Sequence, residues 1–210
     1  MSRPAADRIV DLYREGAEDW MAARTVLGQG DLNDAGWLER FAAFLPTGGS
    51  VLDVGCGHGH PIAAALIARG FQLTGIDTSE RLLAHARATL PEGEWIAGDM
   101  RSLMPDRRFN GMIAWCSLFH LTTDDQRLAL PRLLRCGAAG AVVLFNAGCA
   151  EGEAIGRWRG EDLYHASLSP EAYRVILEDA GYEIITTTTD TDVAAKAGVW
   201  LARRAFVSAE

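Results

Sequence analysis

The run Val51-Leu52-Asp53-Val54-Gly55-Cys56-Gly57-His58-Gly59-His60-Pro61 sets three glycines at alternate positions directly after a short apolar stretch. Glycine takes positive φ readily and lets a backbone approach a ligand with no Cβ between them. In open α/β sheets ligands settle at such strand-to-helix turns, beyond the carboxyl ends of the strands. Asp77 closes the next apolar run, 22 residues beyond Gly55. A carboxylate there accepts hydrogen bonds from both hydroxyls of a ribose. Asp99 follows the third run, where it can accept a hydrogen bond from an adenine amine while Met100 offers a backbone N–H and an apolar face. Three ligand-facing features at three successive strand ends read as a cradle for an adenosine. The spacing is G-x-G-x-G, and His60 stands where a dinucleotide fingerprint needs its third glycine, which counts against a nicotinamide or flavin dinucleotide.

Alternating elements must position these tips. Residues 51–54, 72–76, 94–97, 111–115 and 141–145 read as strands. Residues 62–69 and 81–89, the latter capped by Ser79, read as helices. Another helix opens at Thr123, with Gln126 at capping-box spacing, and ends at Gly137. This alternation implies βαβ units and a parallel sheet covered on both faces. Ser169-Pro170 opens a last helix, closed by Gly181. Strand-like runs 182–188 and 199–203 lie about ten residues apart with no helix between, too close for a parallel crossover, so they pair as an antiparallel hairpin at one edge. Residues 7–23 and 34–45 read as helices before the break Pro46-Thr47-Gly48-Gly49. The expected organisation is an N-terminal helical lid over 1–45 and one structural unit over 46–210. Residues 146–168 carry no clear periodicity and read as a functional loop or a disordered stretch.

Composition narrows the partners. The chain has 210 residues, 49% of them hydrophobic, which suits one domain with a substantial core. Twenty basic against twenty-eight acidic residues give a net charge of −8, unfavourable for a broad nucleic-acid face. The N-terminus lacks the apolar core of a secretory signal, and no apolar run is long enough to span a bilayer. The single cysteines Cys56, Cys116, Cys136 and Cys149 form no metal-type pair and imply reduced thiols, hence a cytoplasmic protein with no metal. A monomer or homodimer is expected.

On these motifs the chain resembles class I S-adenosylmethionine-dependent methyltransferases over roughly residues 35–205. VLDVGCGHG resembles the family's first motif, GIDTS its acidic second-strand motif and GDM its adenine-contacting third. FNGMIAWCSLFHL resembles the fourth strand, with Asn110 at a usually structural position where the family reads aspartate. The likeness is greatest to small bacterial methyltransferases of the methyltransferase-11/25 sort, whose substrates are generally small molecules. It implies a Rossmann-like, doubly wound α/β fold: a seven-stranded sheet, mostly parallel, with an antiparallel C-terminal hairpin and helices on both faces.

The resemblance also implies roles. Gly55 and Gly57 would lie against the methionine part of S-adenosylmethionine, with Asp53 supporting the turn and His60 and Pro61 closing it beside the ligand. Asp77 would hold the ribose, Thr78 would sit beside the adenine, and Asp99 and Met100 would frame it. Trp115 would reach the methionine amine, with Ser117, Phe119 and His120 beside the transferred methyl. His120 is the candidate catalytic or substrate-orienting group, whereas His58 reads as a packed turn residue. Tyr13 and Trp20 share one face of the first helix, and one of them would touch the cofactor; Met21 and Arg24 could reach the pocket mouth. Arg157, Trp158, Arg159, Tyr164 and His165 are candidates for the acceptor, since arginine binds carboxylates bidentately. The implied reaction is in-line methyl transfer to a small molecule, leaving S-adenosylhomocysteine. Alternatives are a macromolecular acceptor, a dinucleotide-dependent oxidoreductase or a nonenzymatic cofactor-binding module.

Overall fold

A computed structural model describes residues 3–26, 34–102, 105–191 and 197–206. The N-terminal part forms α1 (Arg3–Glu15) and α2 (Ala17–Ala23), followed by α3 (Asp34–Ala42). β1 (Ser50–Val54), α4 (Ile62–Ala68), β2 (Gln72–Asp77), α5 (Glu80–Thr89) and β3 (Glu94–Ala97) then alternate. β4 (Phe109–Ala114), α6 (Thr123–Arg135) and β5 (Gly137–Ala147) continue the alternation. β6 (Gly152–Trp158) and β7 (Glu161–Ser167) precede α7 (Pro170–Asp179), β8 (Tyr182–Thr187), the four-residue α8 (Thr188–Thr191) and β9 (Gly198–Arg204).

Seven strands form one sheet in the order β3-β2-β1-β4-β5-β9-β8. β1 pairs in parallel with β2 and β4, while β9 runs antiparallel to both β5 and β8. The reversed C-terminal pair therefore follows from its short connection, as expected. Burial on both faces explains the continuous apolar strands. Leu38 and Phe41 of α3, with Ala63 and Leu66 of α4, belong to the cluster containing Val51, Ile113 and Leu144. Leu130 and Leu134 of α6, with Tyr173 and Leu177 of α7, share the other cluster with Leu52, Met112, Val143 and Phe145. Asn110 Oδ1 accepts the Ser50 N–H at 2.9 Å, tying the start of β4 to that of β1.

Several sequence expectations need correction. Residues 7–23 are two helices, broken at Gly16. A Cβ there would stand 2.5 Å from Trp158 Cη2, so the gap in the helix admits the indole. Residues 146–168 are ordered: β6 and β7 pair antiparallel from Gly152↔Ser167 to Trp158↔Glu161. Periodicity missed this hairpin because β6 is largely exposed, and only β7 buries alternate residues, Tyr164 and Ala166. The cap of α6 is Thr122, whose Oγ1 accepts the Asp125 N–H at 3.1 Å. Gln126 instead donates to the carbonyls of Leu121 and Ala166, at 3.0 and 2.9 Å. Gly137 opens β5 four residues earlier than expected, and α8 stands between β8 and β9. Among the described residues no helix is long and apolar enough to cross a membrane.

Candidate functional site

The turn after β1 is made by its backbone. Gly55 and Gly57 have φ of +74° and +57°. Gly55 and Cys56 donate their N–H groups to the Ile76 carbonyl at 2.8 and 3.1 Å, locking the tips of β1 and β2 together. Gly57 N–H donates to Asp77 Oδ2, and Ser79 N–H to Asp77 Oδ1, each at 2.8 Å. The carboxylate oxygens retain acceptor capacity beyond these backbone donors. Burial raises the Asp77 carboxyl above its ordinary range, against the pull of these N–H groups. Ser117 Oγ donates to the Val54 carbonyl at 2.8 Å, and a Cβ on Gly55 would overlap Ser117 Cβ. Asp53 is buried beneath the turn. Burial first, then the Asp77 charge, pushes its carboxyl up to about 7.

Asp99 lies at the tip beyond β3, clasped by Arg101. The guanidinium Nε donates to both carboxylate oxygens at 3.0 Å, and Nη2 to Oδ2 at 2.6 Å. Burial acts to raise Asp99, but the hydrogen bonds from Arg101 outweigh it and hold the carboxyl below its usual value. Asp99 is thus a neutralised acceptor that retains fewer positions for an amine than the sequence alone suggested. Arg101 had one legible signal, a basic residue two positions after the acid.

A cavity of about 110 Å³ covers these tips. Gly55, Gly57, Asp77, Thr78, Asp99 and Met100 line it from the sheet side, and Tyr13, Trp20, Ser117 and His120 from the other. Arg101, Cys116 and Asp125 also line it, without having been singled out from the sequence. Five expected contacts do not. Asp53 lies below the turn. His60 stacks on His58 at 5.5 Å, and Pro61 caps α4. Trp115 is turned into the core with α3 and α4, its indole Nε1 buried without a hydrogen-bond partner among the described residues. Phe119 lines a second cavity of about 450 Å³ with Asn146, Gly148, Glu151, Glu153 and His165.

Tyr13 and Trp20, which line the first cavity from the N-terminal helices, meet the β6–β7 hairpin at Trp158. Trp158 stacks on Tyr13 at 5.1 Å and 29°, and Trp20 meets Tyr13 edge-on at 5.2 Å. Trp20 Nε1 stands 3.2 Å from where a Gly57 Cβ would be. His120 belongs to a short 3-10 turn, Leu118–His120, and its ring lies 4.7 Å from Phe119 and 5.0 Å from His165. The two arginines point elsewhere: Arg157 pairs with Asp162 at 2.5 Å, and Arg159 with Asp19 at 2.6 Å. Neither lines either of these two cavities: Arg157 pairs across to β7 and Arg159 reaches α2. Tyr164 is buried and donates its hydroxyl to Glu153 Oε1 at 2.7 Å. Arg24 pairs with Asp34 at 3.6 Å rather than reaching the cavity.

Comparison with known proteins gives one family, described as a methyltransferase domain, matching residues 32–187. An O-methyltransferase of Aspergillus sclerotiorum is 30% identical over 157 residues, covering 69% of this chain and 59% of that protein. A trans-aconitate 2-methyltransferase of Azoarcus sp. is 33% identical over 129 residues, covering 58% of this chain and 43% of that protein. The chain thus spans about half the length of these curated relatives. Among solved structures, magnesium protoporphyrin IX methyltransferase from Synechocystis PCC 6803, with bound SAH, superposes with a TM-score of 0.69 at 17% identity. That match covers 96% of this chain and 100% of the other.

Proposed function

The chain belongs to the methyltransferase domain family, and on that premise we propose that it moves a methyl group from S-adenosylmethionine to a small-molecule acceptor. One observation carries this reading: Asp77, held from both sides by the N–H groups of Gly57 and Ser79, presents its remaining lone pairs beside a cavity floored by positive-φ glycines. That donor set suits the two hydroxyls of a ribose, and a floor without Cβ atoms suits a ligand chain lying close to the backbone. When bound, the cofactor supplies a methyl already activated on a sulfonium.

The work of this chain is to bind and align. Gly55 and Gly57 lie against the methionine part, Asp77 holds the ribose, and Thr78, Asp99 and Met100 frame the adenine. Ser117 and His120 face the end where the acceptor arrives. Holding nucleophile, methyl and sulfur in line can lower the barrier by roughly 7–11 kcal/mol without any further group. Tyr13 of α1 and Trp20 of α2 line the cavity opposite the strand tips. In this reading helices α1 and α2 form a lid over the bound adenosine. The net charge of −8 and the names of the relatives, an O-methyltransferase and a trans-aconitate methyltransferase, favour a small acceptor over a nucleic acid.

Titration calorimetry with S-adenosylmethionine, S-adenosylhomocysteine and NAD tests the reading. Heat from the first two and none from NAD is expected. Silence with both sulfur ligands would overturn it.

A further inference from the structure

Tyr13 and His120 stand 107 residues apart in sequence and meet over the cavity, with Tyr13 Oη 2.9 Å from His120 Nε2. The other ring nitrogen, Nδ1, lies 2.9 Å from the Tyr164 carbonyl oxygen. A carbonyl oxygen only accepts, so Nδ1 carries the hydrogen. In a neutral ring Nε2 is then a bare acceptor, and the Tyr13 hydroxyl donates to it. Both groups are held in these forms. Burial, helped by His165 and opposed by the Tyr164 hydrogen bond, lowers His120 to about 4. Burial above all, with Cys116 and Asp77 adding to it, raises the Tyr13 hydroxyl. The result is an O–H···N path that runs from the cavity into the protein.

We propose that Tyr13 and His120 form the proton acceptor for an aromatic acceptor bearing a hydroxyl, with Tyr13 Oη touching that hydroxyl and His120 Nε2 receiving the proton. The inference rests on the reading of this cavity as a methyl-transfer site. The acceptor oxygen forms its bond to the methyl carbon as the carbon–sulfur bond breaks, leaving its electron pair on sulfur. In the same step the hydroxyl proton passes to Tyr13 Oη, and the proton of Tyr13 passes to His120 Nε2. Tyr13 ends as it began. One positive charge leaves sulfur and one arises on the imidazole, so the net charge of the buried site is unchanged. The desolvation that disfavours imidazolium in the resting protein would be offset by the loss of the positive charge that the cofactor brings to the same cavity. An aromatic acceptor fits the surroundings, since Trp20 lines the same cavity and meets the Tyr13 ring edge-on. Tyr13 rides on α1, so the dyad exists only with the lid closed.

Phenol and 4-nitrophenol serve as acceptor probes for the full chain with S-adenosylmethionine at about pH 8, where the nitrophenol is largely ionised and brings no proton. Tyr13→Phe and His120→Asn should each slow phenol methylation by roughly 10²–10⁴-fold, the usual contribution of a positioned base, while barely changing 4-nitrophenol. Calorimetric affinity for S-adenosylhomocysteine should survive in both variants. A readout without turnover is ¹⁵N NMR: the wild type should show His120 neutral and protonated on Nδ1 near neutral pH, and Tyr13→Phe should shift the Nε2 resonance. Equal slowing of both phenols, a hydrogen on Nε2, or a wild type that binds S-adenosylmethionine yet methylates neither phenol overturns the dyad. Absent affinity for S-adenosylmethionine instead removes the reading beneath it.

Discussion

The two ends of the cavity are built from different materials. The end proposed for adenosine is built largely on main chain, with Gly55 and Gly57 at positive φ, the N–H groups of Gly57 and Ser79 on Asp77, and Asp99 held by Arg101. All of it falls between Gly55 and Arg101. The opposite end is lined by side chains from two separate stretches, Tyr13 with Trp20 and Cys116 to Ser117 with His120, and Trp158 stacks on Tyr13. A main-chain cradle tolerates almost no added atom and recognises one shape. A side-chain wall can be re-specified by substitution while the fold beneath it stays intact.

The largest expected effect breaks the main-chain end. Gly55→Ala forces a side chain into positive φ, roughly 1–2 kcal/mol, and overlaps Ser117, roughly 1–3 kcal/mol more. Urea unfolding should show a loss near 3 kcal/mol together with lost S-adenosylhomocysteine binding, and an alanine variant that binds normally would deny that the backbone makes this end. Asp77→Ala comes next, leaving the Gly57 and Ser79 N–H groups without their acceptor, a cost partly offset by removing a carboxylate whose burial is unfavourable. Calorimetry should record an affinity about 100-fold weaker with the sheet intact by circular dichroism.

Asp53→Asn sharpens the contrast because its sign is opposite. A raised carboxyl means that the folded state holds its proton more tightly than the unfolded chain does. Its burial is therefore free below about pH 4, becomes progressively unfavourable up to about pH 7, and stays so above. The variant should match the wild type in thermal melts near pH 4 and exceed it at pH 8. The gain should be about 1–2 kcal/mol, below the roughly 4 kcal/mol ceiling that the shift sets, because asparagine keeps a buried amide. At the side-chain end, Trp158→Ala removes a ring stack worth roughly 0.5–1.5 kcal/mol, so acceptor KM should rise several-fold while cofactor affinity holds. Arg157→Ala should be smallest, within about 0.5 kcal/mol by thermal melts, since its side chain is 69% exposed in its pair with Asp162.

Legibility followed the same division. The parallel sheet, its reversed C-terminal pair and the Ser79 and Ser169 caps could be read locally, because each depends on residues a few positions apart. The β6–β7 hairpin could not, since β6 faces solvent and carries no buried alternation. Trp115 appeared as a ligand contact by its place at a strand end, yet the first residue past β4 turns into the core. Arg157 and Arg159 looked like anion ligands by type, and their partners Asp162 and Asp19 took that role out of the cavity.

By itself the amino-acid order determined the turn after β1 and the acids at the strand tips: glycines at alternate positions act through their own φ angles, and the acids through their nearest neighbours. Tertiary structure decided the rest. Trp158 enters the helix gap at Gly16, and a hairpin carbonyl 44 residues away chooses the tautomer of His120. A backbone carbonyl is the same in every residue, so only the folding of the chain brings that one to the imidazole.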